Sequence, residues 1–393
     1  MKIEVPGFVA GAMGAGLKKN KRKDLGLIFS QVPACAAAVF TTNQVQAAPV
    51  LLDKARIKSG RAQAILANSG SANACVGPRG LQDAKATARA AAQALRIDEA
   101  LVLVASTGVI GQPLDVAAME AALPTLSGQL HPSGLLEVAE AIMTTDTFPK
   151  AVSRQALVDG KRLTVAAVAK GAGMIQPDMA TMLCFVCTDV GAAPEGLSEA
   201  LHRAVARSFN AITVDGDTST NDSVLVLANG LSELNLAQGP CAEAFQKVLD
   251  EVLSTLALEI VRDGEGATKL VSLEVKGASS EGHAKRVAYT VAHSPLVKTA
   301  LFGEDANWGR IMAAIGRAGV PMDPEKIDIF FDTVRLVNNG QGCGPEAEAA
   351  ATKILQTDRF TIRIDLKLGR WQATVHTCDL STDYVKINAA YRS

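Results

Sequence analysis

The sequence predicts an α/β protein with a large first domain and a smaller second α/β domain. Three observations carry this. Short apolar runs of strand length alternate with amphipathic segments of helix length through most of the 393 residues. The hydrophobic fraction is 48% against 20% charged and 4% aromatic, which suits closely packed layers of small side chains. Gly and Ser gather in Lys276-Gly-Ala-Ser-Ser-Glu-Gly-His283, and this shift marks a boundary between a main domain, 1–280, and a C-terminal domain, 281–393.

Taken in order, Leu25–Ser30, Ala36–Thr42, Gln63–Asn68 and Leu101–Ser106 read as strands. An Ala-rich helix over Leu81–Leu95 separates the last two. Gly11-Ala-Met-Gly-Ala-Gly-Leu-Lys18 fails both the Walker and the dinucleotide patterns and reads as a loop. Helices follow at Pro113–Leu123 and Gly134–Met143, then a strand at Arg162–Lys170. Glu195–Phe209 and Cys241–Val261 are helices, and Ser223–Asn229 is a strand. The second domain carries strands at Ile327–Phe331, Arg359–Leu366 and Arg370–Thr377, and a strand-like tail at Tyr384–Ser393.

Charge and cysteine usage exclude several functions. Formal net charge is −1, so no basic field addresses nucleic acid or a membrane surface. The basic cluster Lys18–Lys23 runs into Asp24 and reads as a solvated loop. No apolar run spans a bilayer, and Met1–Pro6 lacks a signal-peptide core. The seven cysteines are irregularly spaced, which fits a reducing cytoplasm. Cys184 and Cys187 are three apart in a predicted strand and face opposite ways. The five histidines form no ligand set, so no metal is expected.

Several polar sites have two readings. Thr107-Gly108 at a strand end is either a glycine turn or a hydroxyl and an N–H aimed at an oxyanion. Thr144-Thr-Asp-Thr147 caps a helix or faces a site. Lys170 ends a strand, where a lysine is usually solvated. Asp215-Gly-Asp217-Thr-Ser219 looks like a phosphatase nucleophile motif, but no later acidic pair supports it, so a polar strand-end network is preferred. Glu265 between two glycines is a solvated turn or a carboxylate held for a cation. The central stretch is Lys170-Gly-Ala-Gly-Met-Ile-Gln-Pro-Asp-Met-Ala-Thr181, a glycine turn and proline linker that enter an apolar strand at a threonine. Pattern alone favours an ordinary buried strand. Were the Ala180–Thr181 bond cut, however, the new α-amino group, titrating near 7.7–8.0, would lie beside the Thr181 hydroxyl and activate it.

The segment 170–183 resembles the self-cleavage segment of the ornithine acetyltransferase family (glutamate N-acetyltransferase). Segments resembling that family recur in order along essentially the whole chain, among them Arg22–Leu25, Val39–Asn43, Ser106–Gly111, Met143–Asp146, Asp215–Asp222, Asp263–Lys269, Ser294–Ala300, Asn307–Arg310 and Tyr384–Asn388. The resemblance implies a layered α-β-β-α sandwich of the self-processing N-terminal-nucleophile type. It also implies a precursor cut between Ala180 and Thr181 into two chains, assembled as α2β2. Thr181 is then the nucleophile, Thr107 and Gly108 form the oxyanion hole, and Thr144, Lys170, Glu265, Asn388 and Ser393 line the amino-acid site. The implied reaction moves acetyl from N-acetylornithine to glutamate in arginine biosynthesis, without a cofactor. The sequence leaves open whether acetyl-CoA also serves as donor. A self-processing aminopeptidase or amidase, with water as acceptor, is the other reading. Ala172, Gln176 and Asp178 stand where Ser, His and Asn are common in the family, and Ser393 stands for a terminal Thr.

Overall fold

The computed structural model describes residues 3–18, 22–176 and 182–390. The mixed α/β class expected from the alternation of strand and helix patterns is what it shows. The chain divides into two compact units, 1–210 with 217–260, and 211–216 with 261–393. The division therefore falls near residue 260 and not at 280. The Gly/Ser-rich stretch at 276–284 is an internal turn of the second unit, between a central strand and a helix.

The first unit holds strands β1 (Phe8–Met13), β2 (Leu25–Phe40), β3 (Arg61–Ser71), β4 (Val102–Val109), β5 (Lys150–Val158), β6 (Lys161–Lys170), β7 (Leu183–Thr188) and β8 (Ser223–Ala228). Its helices are α1 (Ala48–Arg56), α2 (Pro78–Leu95), α3 (Val116–Ser127), α4 (Leu135–Ile142), α5 (Pro194–Arg207) and α6 (Gly239–Arg262), the last running into the second unit. The strands form one sheet in the order β4-β3-β2-β8-β7-β6-β5, with β1 also on β2. Pairs β3–β4 and β7–β8 are parallel and the others antiparallel.

Strict alternation builds both faces of this sheet. Leu25, Leu27, Leu66, Val102 and Val104 turn to one side, against Ala84, Ala88, Ala91 and Ala92 of α2 and Met119, Leu123 and Leu126 of α3. Their neighbours Ile28, Ile65, Ala67, Leu103 and Ala105 turn to the other, against Leu135, Val138, Ala139 and Ile142 of α4. Strands buried on both faces read as continuous apolar runs, which is why they were visible in sequence. The alanines of α2 fall at helical spacing and let its axis approach the sheet closely.

Two local readings need correction, and one element was unforeseen. The two strands expected at 25–30 and 36–42 are one strand, whose register against β3 slips between Phe29 and Ala34. Pro33 sits in that slip, where a missing N–H does no harm. Gly11–Met13, expected in a loop, completes β1 against Leu25–Leu27. Lys150–Val158, which carried no expectation, forms the β5 hairpin with β6.

The second unit holds β9 (Leu270–Ala278), α7 (Glu281–Ala292), α8 (Pro295–Phe302), α9 (Trp308–Gly316), β10 (Asp328–Phe331), β11 (Val334–Asn338), β12 (Gln341–Gly342), α10 (Pro345–Leu355), β13 (Arg359–Asp365), β14 (Trp371–Cys378) and α11 (Thr382–Ala389). The sheet order is β12-β11-β10-β13-β9-β14. Val271, Leu273, Val275, Ile329, Ile362 and Ile364 pack with Val287, Val291, Ile311 and Leu355 in its own core. The strand-like tail expected from 384 is instead α11, capped by Ser381, whose hydroxyl accepts from the Asp383 N–H. Residues 211–214 lie outside the named strands and are bridged through Ile212 to His376.

Candidate active site

In the first unit the ends of β4 and β6 bring Thr107 and Lys170 together. The Lys170 Nζ donates to the Thr107 Oγ1 at 3.2 Å. Both side chains are buried, so Lys170 is not the solvated strand-end lysine that its position suggests. A hydroxyl that accepts from an ammonium keeps its own proton free to donate, and is a better donor for that polarisation. Gly108 follows at φ +131°, a conformation that side chains avoid. A Cβ there would lie 2.4 Å from the Gly70 carbonyl carbon. The close β3–β4 contact thus admits only glycine beside Thr107.

Asp146 ties the next residues to this pair. Its carboxylate accepts from the Lys150 Nζ at 2.8 Å, the Gly171 N–H at 2.7 Å and the Thr144 N–H at 3.0 Å. Burial alone would raise its pKa. The Lys170 and Lys150 ammoniums and the donated hydrogen bonds outweigh burial and hold it down to about 2. The carboxylate thereby fixes the Thr144 turn against the residue after Lys170. Lys18, expected in a solvated loop, donates to the carbonyls of Ala141 and Met143 at the end of α4. Burial, aided by the Lys170 charge and opposed by Asp24 and Asp146, brings its ammonium down to about 8. Lys18, Arg22, Lys23, Glu140, Met143 and Thr144 line a cavity of about 280 Å³.

The motif 215–222 resolves into structure rather than phosphatase chemistry. Asn221 and Asp222 are buried and bond to the Ser106 carbonyl and the Met182 N–H. Asp215 accepts from the Tyr384 hydroxyl at 3.4 Å within the second unit.

Also in the second unit, Glu265 is a buried carboxylate that accepts from the Asn388 Nδ2 at 2.7 Å. Its turn is seated on the start of α11: Ser381 donates to the Gly266 carbonyl at 2.6 Å, and a Cβ on Gly266 would meet the Tyr384 nitrogen at 2.5 Å. Of the residues expected in the site, the structure joins Thr107 with Lys170 and Glu265 with Asn388. Ala180, Thr181 and Ser393 lie outside the described residues. Asp146 and Lys150 had no expected role, and Asn221 and Asp222 were expected only within a polar strand-end network. Among the described residues no group of three or more His, Cys, Asp or Glu is placed to hold a metal ion. No helix among them is long and apolar enough to cross a membrane. Burial raises both the Cys184 and the Cys187 thiols far above the ordinary range, which leaves them inert.

Relatives give this geometry its context. The ArgJ family model matches residues 9–393. The chain is 54% identical to the arginine biosynthesis bifunctional protein ArgJ of Syntrophotalea carbinolica over 393 residues, covering 100% of both. It is 51% identical to the protein of the same name from Geobacter sulfurreducens, again over 100% of both. A crystal structure of arginine biosynthesis bifunctional protein ArgJ from Bacillus halodurans matches at 42% identity and a TM-score of 0.50, covering 53% of this chain and 98% of that one. Fold and matches together define an α/β acyltransferase of arginine biosynthesis. The chain belongs to the ArgJ family.

Proposed function

We propose that the chain cuts itself between Ala180 and Thr181 and then transfers acetyl from N2-acetylornithine to L-glutamate through an acetyl-Thr181 intermediate. The observation that carries this is the Lys170–Thr107 contact beside Gly108. It puts a polarised hydroxyl and a glycine, at the end of β4, beside Lys170, which ends the strand β6 that leads into the segment bearing Thr181. The length of the matched Bacillus halodurans chain, about half that of this one, supports processing in the family.

In this reading the Thr181 hydroxyl first attacks the Ala180 carbonyl, the Ala180–Thr181 C–N bond breaks to leave an ester on Oγ and a free α-amine, and water hydrolyses that ester to release the first chain and restore the hydroxyl. After cleavage its own α-amine takes the hydroxyl proton, and Thr181 Oγ attacks the acetyl carbonyl of acetylornithine. Thr107 and Gly108 stabilise the oxyanion, at about 3–4 kcal/mol for such a donor. The Oγ–acetyl bond forms as the bond from acetyl to nitrogen breaks, and the proton goes to the departing ornithine amine. The glutamate amine then takes the acetyl group and restores the threonine. Thr144 and Lys170 bind the amino-acid moiety, and the family resemblance assigns Glu265, Asn388 and Ser393 to the same task. The two chains of one precursor assemble as α2β2, and acetyl-CoA is the alternative donor to be tested.

Thr181→Ala should run as a single 40.9 kDa band on a denaturing gel and transfer no acetyl group. The wild-type protein should give two bands and parallel-line, ping-pong kinetics. Two bands with retained transfer in Thr181→Ala would sink the proposal. Breakdown of acetylornithine that glutamate fails to accelerate would point to water as acceptor.

A further inference from the structure

Two consecutive buried residues join the two halves of the chemistry. The Asn221 Nδ2 donates to the Ser106 carbonyl at 2.8 Å and to the Ala72 carbonyl at 2.7 Å. Ser106 immediately precedes Thr107. Because both partners are carbonyls, the amide nitrogen must face them, and its two protons are then fully used. The Asn221 Oδ1 accepts from the Thr220 hydroxyl at 2.6 Å, so the side chain has one allowed orientation. The next residue, Asp222, accepts the Met182 N–H on Oδ1 at 2.9 Å. Met182 immediately follows Thr181. The Met182 carbonyl in turn accepts from the Ser223 N–H at 3.2 Å, so Met182 is pinned on both sides.

Asp222 differs from an ordinary structural carboxylate set against the same sheet, Asp53 of α1. Asp53, also fully buried, spends both oxygens on the Val104 N–H at 3.1 Å. Among the described residues the second oxygen of Asp222, fully enclosed, makes no hydrogen bond of ordinary geometry, with only the Ser219 hydroxyl and N–H close enough to favour its charge. Burial pushes the Asp222 carboxyl well above the ordinary carboxylate range, against the Met182 N–H and the Lys170 charge. Carrying such a group is costly to the fold, and unsatisfied buried polar atoms concentrate where function requires them.

We propose that Asn221 and Asp222 are the positioning pair of the acyl-transfer site. Asn221 fixes the strand end that carries Thr107 and Gly108, and Asp222 fixes the residue bonded to the nucleophile. Being adjacent in the chain, the two side chains set the distance from nucleophile to oxyanion donors through one rigid peptide. Neither needs to touch substrate. The inference rests on the reading of Thr181 as nucleophile.

The test compares Asn221→Ala, Asp222→Ala and Asp222→Asn with Asp53→Asn and Thr181→Ala, all in the full chain, by processing rate, kcat, KM and thermal midpoint. A misplacement of about 1 Å is worth about 100-fold, so Asn221→Ala and Asp222→Ala should lose about 100-fold in kcat, or in cleavage rate where cleavage stalls, with KM moving less than about threefold. Asp222→Asn keeps an acceptor oxygen for the Met182 N–H and the same shape, so it should fold and recover about tenfold of that loss. Asp53→Asn should lower the thermal midpoint and leave kcat unchanged. The inference is overturned if the Asn221 and Asp222 variants lose activity only in step with stability, as Asp53→Asn would, or if Asp222→Asn rescues nothing. Thr181→Ala keeps the two readings apart. If it still cleaves and transfers, the nucleophile assignment falls with this inference. If it is inactive while Asn221→Ala and Asp222→Ala keep their kcat, only the positioning pair falls.

Discussion

At the scale of single residues, the site is an exercise in holding charges where water cannot reach them. Asp146 sits with its side chain fully enclosed beside an equally enclosed Lys150. Removing one member of such a group strands the others, at about 3–5 kcal/mol. Asp146→Asn should therefore lose about 3–5 kcal/mol near pH 7, measured by urea unfolding. The pH dependence has a definite sign. The carboxyl is depressed in the folded protein to about 2, below the unfolded value near 3.9. Its stabilisation is complete above pH ~3.9 and is lost as pH falls through about 2. The gap between wild type and Asp146→Asn should narrow by about 2 kcal/mol over that interval; a gap unchanged from pH 7 to pH 2 would contradict the assignment. This residue also shows what a sequence conceals. On local pattern Thr107-Gly108 reads as an ordinary glycine turn and Lys170 as a solvated strand end, and the family resemblance alone singled them out. Asp146 and Asp222 could not be singled out, because the contacts that tie them to the site, to Gly171 and Met182, lie 25 and 40 residues away and only the fold brings them close.

At the scale of elements, strands buried on both faces were legible and amphipathic edges were not. Val102–Ala105 and Val224–Leu227 can be little other than core strands. The C-terminal segment Tyr384-Val-Lys-Ile, with its β-branched residues, reads as a strand by propensity. The capping serine at 381 and Asp383 in the first turn carried the opposing signal, and hydrogen bonding to the helix start decided it. The Asp215–Asp222 stretch, read as a polar strand-end network in preference to a phosphatase motif, is one: its acidic residues accept from backbone and hydroxyl groups, as strand-end Asp and Asn often do. The α2–sheet contact supplies a test at this scale. Ala88 is fully buried on the stripe that faces Leu66 and Val104. Ala88→Leu should overpack that contact and cost about 1–3 kcal/mol in chemical denaturation, with KM for acetylornithine unaltered. A neutral or stabilising result would mean that the helix rides on the sheet more loosely than its alanines indicate.

At the scale of the whole molecule, the two units each possess a sheet and a core, and the proposed cut lies within the first. The strands on either side of it, β6 and β7, are antiparallel neighbours paired from Lys170–Leu183 to Val165–Thr188. β7 in turn runs parallel to β8, so both strands are interior to the sheet. Cleavage between them removes a covalent link while leaving the ladder whole. That arrangement makes assembly history matter. In the uncut chain the ladder closes as a short loop, a step whose rate is independent of protein concentration. Once the loop is severed and the protein denatured, the same ladder must form by collision of two separate polypeptides. Dilution should then lower the refolding rate and yield of processed protein, while intact Thr181→Ala precursor regains its structure equally well at every concentration. Equal dilution dependence for the two would argue against the cut. The proposed processing would act as a ratchet, turning a reversible, first-order folding reaction into a second-order one, so that the processed enzyme would owe its persistence to slow unfolding and not to ready recovery.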